Sequence, residues 1–313
     1  MGQSLGREFA KYSSANILGM VGISLYILAD TFFIAQTTGP LGLTALNLSI
    51  PAYSVMHGLG LMIGIGGATR FSIAQSQADK RTASRAFVLS IKAGLVLAIV
   101  LLMLGFVGAE TLAKLLGADG ETLSNTRTYV GTLLLFAPLF VLNNILLAFL
   151  RNDRQPRLAM MSMLAGSLSN IVLDYIFMYP LGLGIFGAAL ATGIAPLIGI
   201  SIALGHFLKQ KKLMAYLPKP SEWSGLPDLL SLGSSALVIE LSSGVVLFTF
   251  NWVILGLEGN EGVAAFGIIA NLAIVGIAIF TGLAQGTQPL ASKYYGLNKP
   301  DLLKKVTKFA LLT

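Results

Sequence analysis

Cysteine is absent from this 313-residue chain, which excludes disulfides, thiolate catalysis and cysteine metal sites. Histidine occurs only at His57 and His206, too few and too far apart for a zinc centre. With no clustered His, Cys or Ser–His groups, the chain does not read as an intramembrane enzyme. Charge is scarce as well. Asp, Glu, Lys and Arg make up 11% of residues, where a soluble domain carries about a quarter. That leaves too little polar surface to face water. The short polar segment 1–12 lacks the pattern of a cleaved signal peptide, so the first apolar run should stay as a span.

What fills the chain instead is apolar: 55% of residues are hydrophobic. Apolar runs near or above the roughly 20 residues needed to cross a bilayer recur along most of it. Lipid cannot satisfy open backbone groups, so each run must be a helix or part of a closed barrel. The runs are continuous and do not alternate with period two, which selects helices. Eight spans are predicted: Tyr12–Ala35, Leu43–Ser76, Ser84–Ala109, Asn125–Leu150, Arg157–Tyr179, Ile185–Leu208, Leu229–Leu257 and Val263–Tyr295. A ninth begins near Leu302. Pro51, Pro138, Pro196 and Pro289 lie within spans and are expected to kink them.

The net charge of +7 is not a nucleic-acid signal, because most basic residues sit in short loops between apolar runs. Basic loops (Arg7/Lys11; Lys80, Arg81, Arg85; Arg151, Arg154, Arg157; Lys209, Lys211, Lys212, Lys219; Lys293, Lys299, Lys304, Lys305) alternate without a break with neutral or acidic ones. The positive-inside rule then puts the N-terminus in the cytoplasm.

The chain also repeats itself. At one fixed ungapped offset Gly39, Gly42, Ala45, Gly66 and Ser72 fall on Gly259, Gly262, Ala265, Gly286 and Ser292. Spans one and two thereby fall on spans seven and eight. Six spans separate the copies, an even number, so both enter from the same side: a parallel repeat about an axis along the membrane normal. The expected fold is an all-α integral membrane bundle. Its parts are a six-helix N-terminal lobe (1–208), a cytoplasmic linker (209–227) and an incomplete second lobe (228–313). A complete second copy needs on the order of a hundred further residues, so the chain is expected to be a truncated product or fragment.

Three acids lie well inside the spans: Asp30, Asp174 and Glu240. A charge at mid-membrane costs a few kcal/mol or more and suggests ion or proton coupling by default. Asn170 precedes Asp174 by one helical turn on the same face. An amide over a carboxylate can help hold a proton or offer oxygens to sodium; the alternative is a helix–helix tie. Glu240, with Asn251 further along the same span, marks a possible site in the second lobe. Arg70 and Lys92 are expected to snorkel to the cytoplasmic side. The Gly60–Gly67 stretch reads as close helix packing and not as a nucleotide loop. His57 reads as a packed polar residue. Met160, Met161, Met163 and Met178 are either an adaptable binding surface or ordinary packing.

A family resemblance sits on these residues. The run Ser169-Asn170-Ile171-Val172-Leu173-Asp174, followed by Gly182-Leu183-Gly184-Ile185-Phe186-Gly187-Ala188-Ala189-Leu190-Ala191-Thr192, resembles spans five and six of the multidrug and toxic compound extrusion (MATE) family. Leu28-Ala29-Asp30-Thr31-Phe32-Phe33-Ile34 is similar to its first span, and Gly64–Gly67 leading to Gln75 to its second. The resemblance implies twelve helices in two lobes, in a monomer of the bacterial inner membrane with no cofactor. It implies export of small organic cations and drugs in exchange for protons or sodium. It places Asp30, Asn170 and Asp174 at an N-lobe cation site. Two readings compete: a related flippase of lipid-linked sugars, whose anionic cargo would call for a basic cavity, and a truncated remnant that transports nothing.

Overall fold

The computed structural model describes residues 2–209 and 223–313, with side chains from Leu5 onward. The described residues form nine helices and no strand: α1 (Gly2–Ser76), α2 (Lys80–Leu115), α3 (Leu123–Leu135), α4 (Ala137–Asn152), α5 (Pro156–Met178), α6 (Gly184–Ile194), α7 (Pro196–Lys209), α8 (Leu226–Gly296) and α9 (Pro300–Leu312). The linker expected at 209–227 falls mostly on 210–222, outside the described residues.

Helices α1 and α8 are each far too long for one crossing. Each contains one non-helical residue, Gly39 (φ 69°, ψ −160°) and Gly259 (φ 65°, ψ −157°), in a region of backbone space open essentially to glycine. Each long helix is a hairpin of two spans. Gln288 reaches Thr69 at 2.7 Å and Lys293 reaches Glu8 at 2.7 Å, so both ends of both hairpins meet at one side. The loops expected around residues 36–42 and 258–262 therefore shrink to single glycines. A one-residue turn leaves nearly every neighbouring backbone group inside a helix, as an apolar surround requires.

The hairpins match at the offset read from the sequence. After the second half of α1, Ala78 takes a positive φ of 61°; Asn298 takes one of 52° after α8. Helix α2 then begins at Lys80 and α9 at Pro300. The repeat is thus a repeat of backbone geometry.

One predicted span is sharply bent. The fourth bends by 52° between α3 and α4, at Phe136, two residues before Pro138. The sixth runs on as one span from Gly184 to Lys209: Ala195, before Pro196, keeps helical φ −49° and ψ −39°. Pro51, by contrast, sits inside unbroken helix. Proline cannot donate to the carbonyl four residues back, here that of Asn47. That carbonyl instead accepts the Asn251 side-chain amide at 3.1 Å. A residue of the second lobe thus takes the hydrogen-bonding place that Pro51 leaves open. Pro289 also lies within a continuous helix.

The N-terminal segment is another correction. Residues 2–11 do not precede the first helix; they are its first turns. Leu5, Phe9 and Tyr12 form a buried stripe at helical spacing and pack on Leu283, Leu290, Tyr294 and Val306. On the polar face Glu8 pairs with Lys293 and accepts from the Tyr294 hydroxyl at 3.0 Å. Arg151, read as a loop charge, is buried in the last turn of α4. Beside it the Asp153 carboxylate accepts from Gln75 at 3.0 Å and pairs with His206 at 2.7 Å. Arg70 forms a half-exposed ion pair with Asp228 at 3.0 Å.

Helix α8 packs along α1 with little room. Cβ atoms placed on Gly66 and Gly233 would collide with the carbonyls of Leu229 and Met62. The same approach recurs between Gly282 and Gly286 of α8 and the backbone at Tyr12–Ile17. Small residues let helix backbones touch where no hydrophobic force separates protein from lipid. Farther along, Thr44 donates to the Asn260 carbonyl at 2.7 Å and Asn271 to Thr31 at 2.8 Å. Exposed Leu95, Val100, Phe106 and Val107 on α2, and Val245, Phe250 and Trp252 on α8, suit a lipid surround.

Candidate functional site

Helix α5 buries Pro156, Ala159, Ser162, Met163, Ser167, Asn170, Asp174 and Met178, a stripe at three- and four-residue spacing. A stripe of that period turns one face of a helix inward, and here it carries a carboxylate and an amide. Of the four methionines singled out on this span, Met163 and Met178 are buried while Met161 is exposed; they do not share a surface. The first half of α1 packs against α5 and carries Asp30. Asp30 is 4% exposed and Asp174 is fully buried.

The fold brings Asp30, Asn170 and Asp174 together. The two carboxylates lie within electrostatic reach of each other. Asn170, its amide oriented to suit its neighbours, donates to Asp174 Oδ2 at 3.1 Å and accepts from the Thr192 hydroxyl at 3.3 Å and backbone N–H at 3.2 Å. Tyr129 of α3 donates to Asp30 Oδ2 at 3.4 Å and lies near Thr192. Two polar pairs thus meet here, Asp174–Asn170–Thr192 joining α5 to α6 and Tyr129–Asp30 joining α3 to α1. Oδ1 of each aspartate is buried without a hydrogen-bond partner among the described residues. Neither aspartate has an ion pair among the described residues. Two buried carboxyl oxygens without a hydrogen-bond partner, and with no ion pair among the described residues, are the chemical signature of this centre.

Glu240 and Asn251 do not meet. They lie eleven residues, about three turns, apart on α8. Asn251 is occupied by the carbonyl of Asn47. Glu240 lies across the lobe boundary against Gly58, where a Cβ would approach its own at 2.9 Å. There it lies within electrostatic reach of Tyr53 and His57. His57 is partly buried and stacks on Tyr53, with ring centroids 5.3 Å apart and planes 14° from parallel. The Asn144 amide lies 3.0 Å from its Nδ1. His57 is a packed polar residue, as expected, but one that borders an acid of the other lobe.

Sequence reasoning missed Tyr26, Tyr53, Tyr129 and Thr192. Tyr26 had a signal, being one turn before Asp30 on the same helix face. The others sit on helices whose adjacency no sequence spacing reveals. Among the described residues no three His, Cys, Asp or Glu side chains converge as a metal cluster would require.

A bundle of apolar helices crossing back and forth, built on a parallel repeat, with acids buried between helices, defines a multi-pass membrane transporter. The chain matches the profile of the MatE family over residues 16–176 and 236–313. It belongs to that family, whose members are transporters and not enzymes. It is 29% identical to the multidrug export protein MepA of Staphylococcus saprophyticus, over 99% of this chain and 69% of that protein. It is 28% identical to MepA of Staphylococcus aureus, over 94% of this chain and 66% of that protein. It superposes with a TM-score of 0.85 on the outward-facing conformation of a multidrug resistance MATE family transporter of the MOP superfamily. That match has 28% identity and covers 97% of this chain and 68% of the other. The chain thus spans about two thirds of the length of the relatives it matches.

Proposed function

We propose that this chain carries the ion-coupling lobe of an exporter of organic cations and drugs, driven by inward movement of protons or sodium. The observation that carries the reading is the buried pair Asp30 and Asp174, with one unpartnered oxygen each and no basic partner among the described residues. Two negative charges side by side and away from water are costly. A proton on one acid, or a sodium ion between the two Oδ1 atoms, removes the cost. An all-oxygen donor set suits a hard cation, and Asp30 and Asp174 would hold it. Asn170 orients Asp174, and its own carbonyl is taken up by Thr192. When the pair is neutralised the lobe loses its attraction for a cationic cargo, which leaves; when the ion leaves toward the cytoplasm the attraction returns. Acids at the buried positions favour cationic cargo over the anionic lipid-linked sugar of a flippase. The relatives named multidrug export proteins support the cargo class. The alternation of loop charge supports a cytoplasmic N-terminus and an inner-membrane location.

The test is efflux of ethidium from proteoliposomes under imposed proton or sodium gradients. It compares this chain, the complete reading frame and Asp174→Asn. Gradient-driven efflux by the complete frame, lost in Asp174→Asn while insertion is retained, is expected, and the effective gradient names the ion. Normal efflux by Asp174→Asn sinks the reading. A complete frame that inserts and exports nothing favours a flippase or an inactive remnant.

A further inference from the structure

The seam between the lobes is bonded differently at its two ends. Toward the glycine turns, each amide that borders it spends its nitrogen and leaves its oxygen. Asn47 donates to the Val263 carbonyl, Asn251 to that of Asn47, Asn260 to Asp119 and Asn271 to Thr31. Oδ1 of all four is buried without a hydrogen-bond partner among the described residues. At the end where the hairpin termini meet, one amide is bonded through both of its atoms. Gln288 of α8 donates from Nε2 to the Thr69 hydroxyl at 2.7 Å and to Ser292, one turn on in its own helix, at 3.0 Å. Its Oε1 accepts from Asn152 Nδ2 at 2.9 Å, and its Nε2 lies 3.4 Å from Asn152 Oδ1. A side chain of the second lobe is thus clasped between two elements of the first, α1 and the last turn of α4. Ser13 Oγ and Asn16 Oδ1, toward this end, are also unpartnered among the described residues, but Asn16 spends its nitrogen on Tyr12 of its own helix and holds nothing across the seam.

The clasp has a fixed jaw. Asn152 also donates to the Ala148 carbonyl at 2.9 Å, and the next residue, Asp153, is held by Gln75 of α1 and His206 of α7. Around the clasp, glycines bring backbone against backbone: Cβ atoms on Gly286 and Gly296 would strike the chain at Tyr12–Ser13 and at Ile73. Such contacts have little hydrophobic drive in lipid, so polar bonds decide whether this end stays shut. The neighbouring ion pairs, Lys293–Glu8 and Arg70–Asp228, are a quarter to a half exposed and hold little. An amide bonded through both atoms resists parting more than one that already leaves an oxygen without a donor. We propose that Gln288 is the latch of the seam: clasped by Thr69 and Asn152 it keeps the terminus end shut, and its release lets the lobes part there. The use of that parting in a transport cycle rests on the export reading; the latch itself does not.

The test reads the seam directly, without transport. The chain has no cysteine, so a single introduced cysteine is an unambiguous reporter. Ser72→Cys sits buried in the seam beside the latch, and Val263→Cys sits buried toward the glycine turns. Each is placed in the whole chain in nanodiscs, open on both faces, and its rate of reaction with a charged methanethiosulfonate is measured. Gln288→Met keeps the bulk of the side chain and leaves Asn152 bonded to Ala148. It should speed labelling at Ser72→Cys by about tenfold, the worth of one or two net hydrogen bonds, and should not speed it at Val263→Cys. Asn152→Leu should give a similar rise, and the two together no more than either alone, because they break one clasp. Ser292→Ala, which removes only the bond within α8, should move neither reporter. An unchanged rate at Ser72→Cys in both Gln288→Met and Asn152→Leu overturns the latch. Equal rises at both reporters, which report loosening of the whole chain, overturn it too, as do additive rises in the double variant. A failed efflux assay beside the expected labelling would sink the export reading and leave the latch standing.

Discussion

The two helical hairpins share a backbone and differ in chemistry. Gly39 and Gly259 turn with φ and ψ equal to within a few degrees. Yet the positions matching Tyr26, Asp30, Tyr53 and His57 of the first hairpin are Val246, Phe250, Ala273 and Ile277 in the second. Conversely Glu240 falls on Met20. The backbone is copied because one-residue glycine turns and small-residue contacts are what a lipid surround allows. The polar groups are not copied, because every buried charge costs free energy and persists only where it does work. One lobe holds a pair of acids and the other a single acid at the boundary between them.

The largest test of that asymmetry is functional. Asp30→Asn should abolish gradient-driven efflux by the complete frame, while Phe250→Asn, at the matching position, should leave it intact. Equal loss in both would mean that the lobes share the work. Next comes packing. Gly66→Leu should destabilise the chain by about 3 kcal/mol, at the upper end for overpacking, because α8 backbone already fills the space. Gly276→Leu, with nothing within 4 Å of its added carbon, should be silent; unfolding in mixed micelles separates the two. Gly39→Ala and Gly259→Ala should each cost about 1–3 kcal/mol for the strained backbone. A marked difference between them would break the equivalence of the two turns. Thr44→Val should cost about 1 kcal/mol by removing the hydroxyl's hydrogen bond to the Asn260 carbonyl.

The smallest effect is at the helix starts. Side-chain and backbone hydrogen bonds from Thr82 hold the Asp79 carboxyl below the usual carboxylate range. The cap is therefore fully present above that range and is lost as pH falls through the lowered value. Lys299, its counterpart before α9, makes no side-chain cap. Protection of the amides at the start of α2 against exchange, taken relative to the intrinsic rate at each pH, should fall in acid, and Asp79→Asn should remove that loss. The start of α9 should show neither effect.

Much of this was legible without coordinates. Apolar runs set the number of spans, because lipid dictates both length and helicity. The fixed offset between Gly39 and Gly259 announced the repeat, and the scarcity of intramembrane acids singled out Asp30, Asp174 and Glu240. Asn170 followed from helical period alone. What sequence could not supply was adjacency. That α1 meets α5, that Thr192 partners Asn170 and Tyr129 partners Asp30, and that Asn251 fills the gap left by Pro51 depend on helix packing. So does the placing of Glu240 beside His57 across a lobe boundary. Helical period fixes which face a residue occupies; only tertiary packing decides what that face meets, because many weak contacts spread over distant segments choose the neighbours.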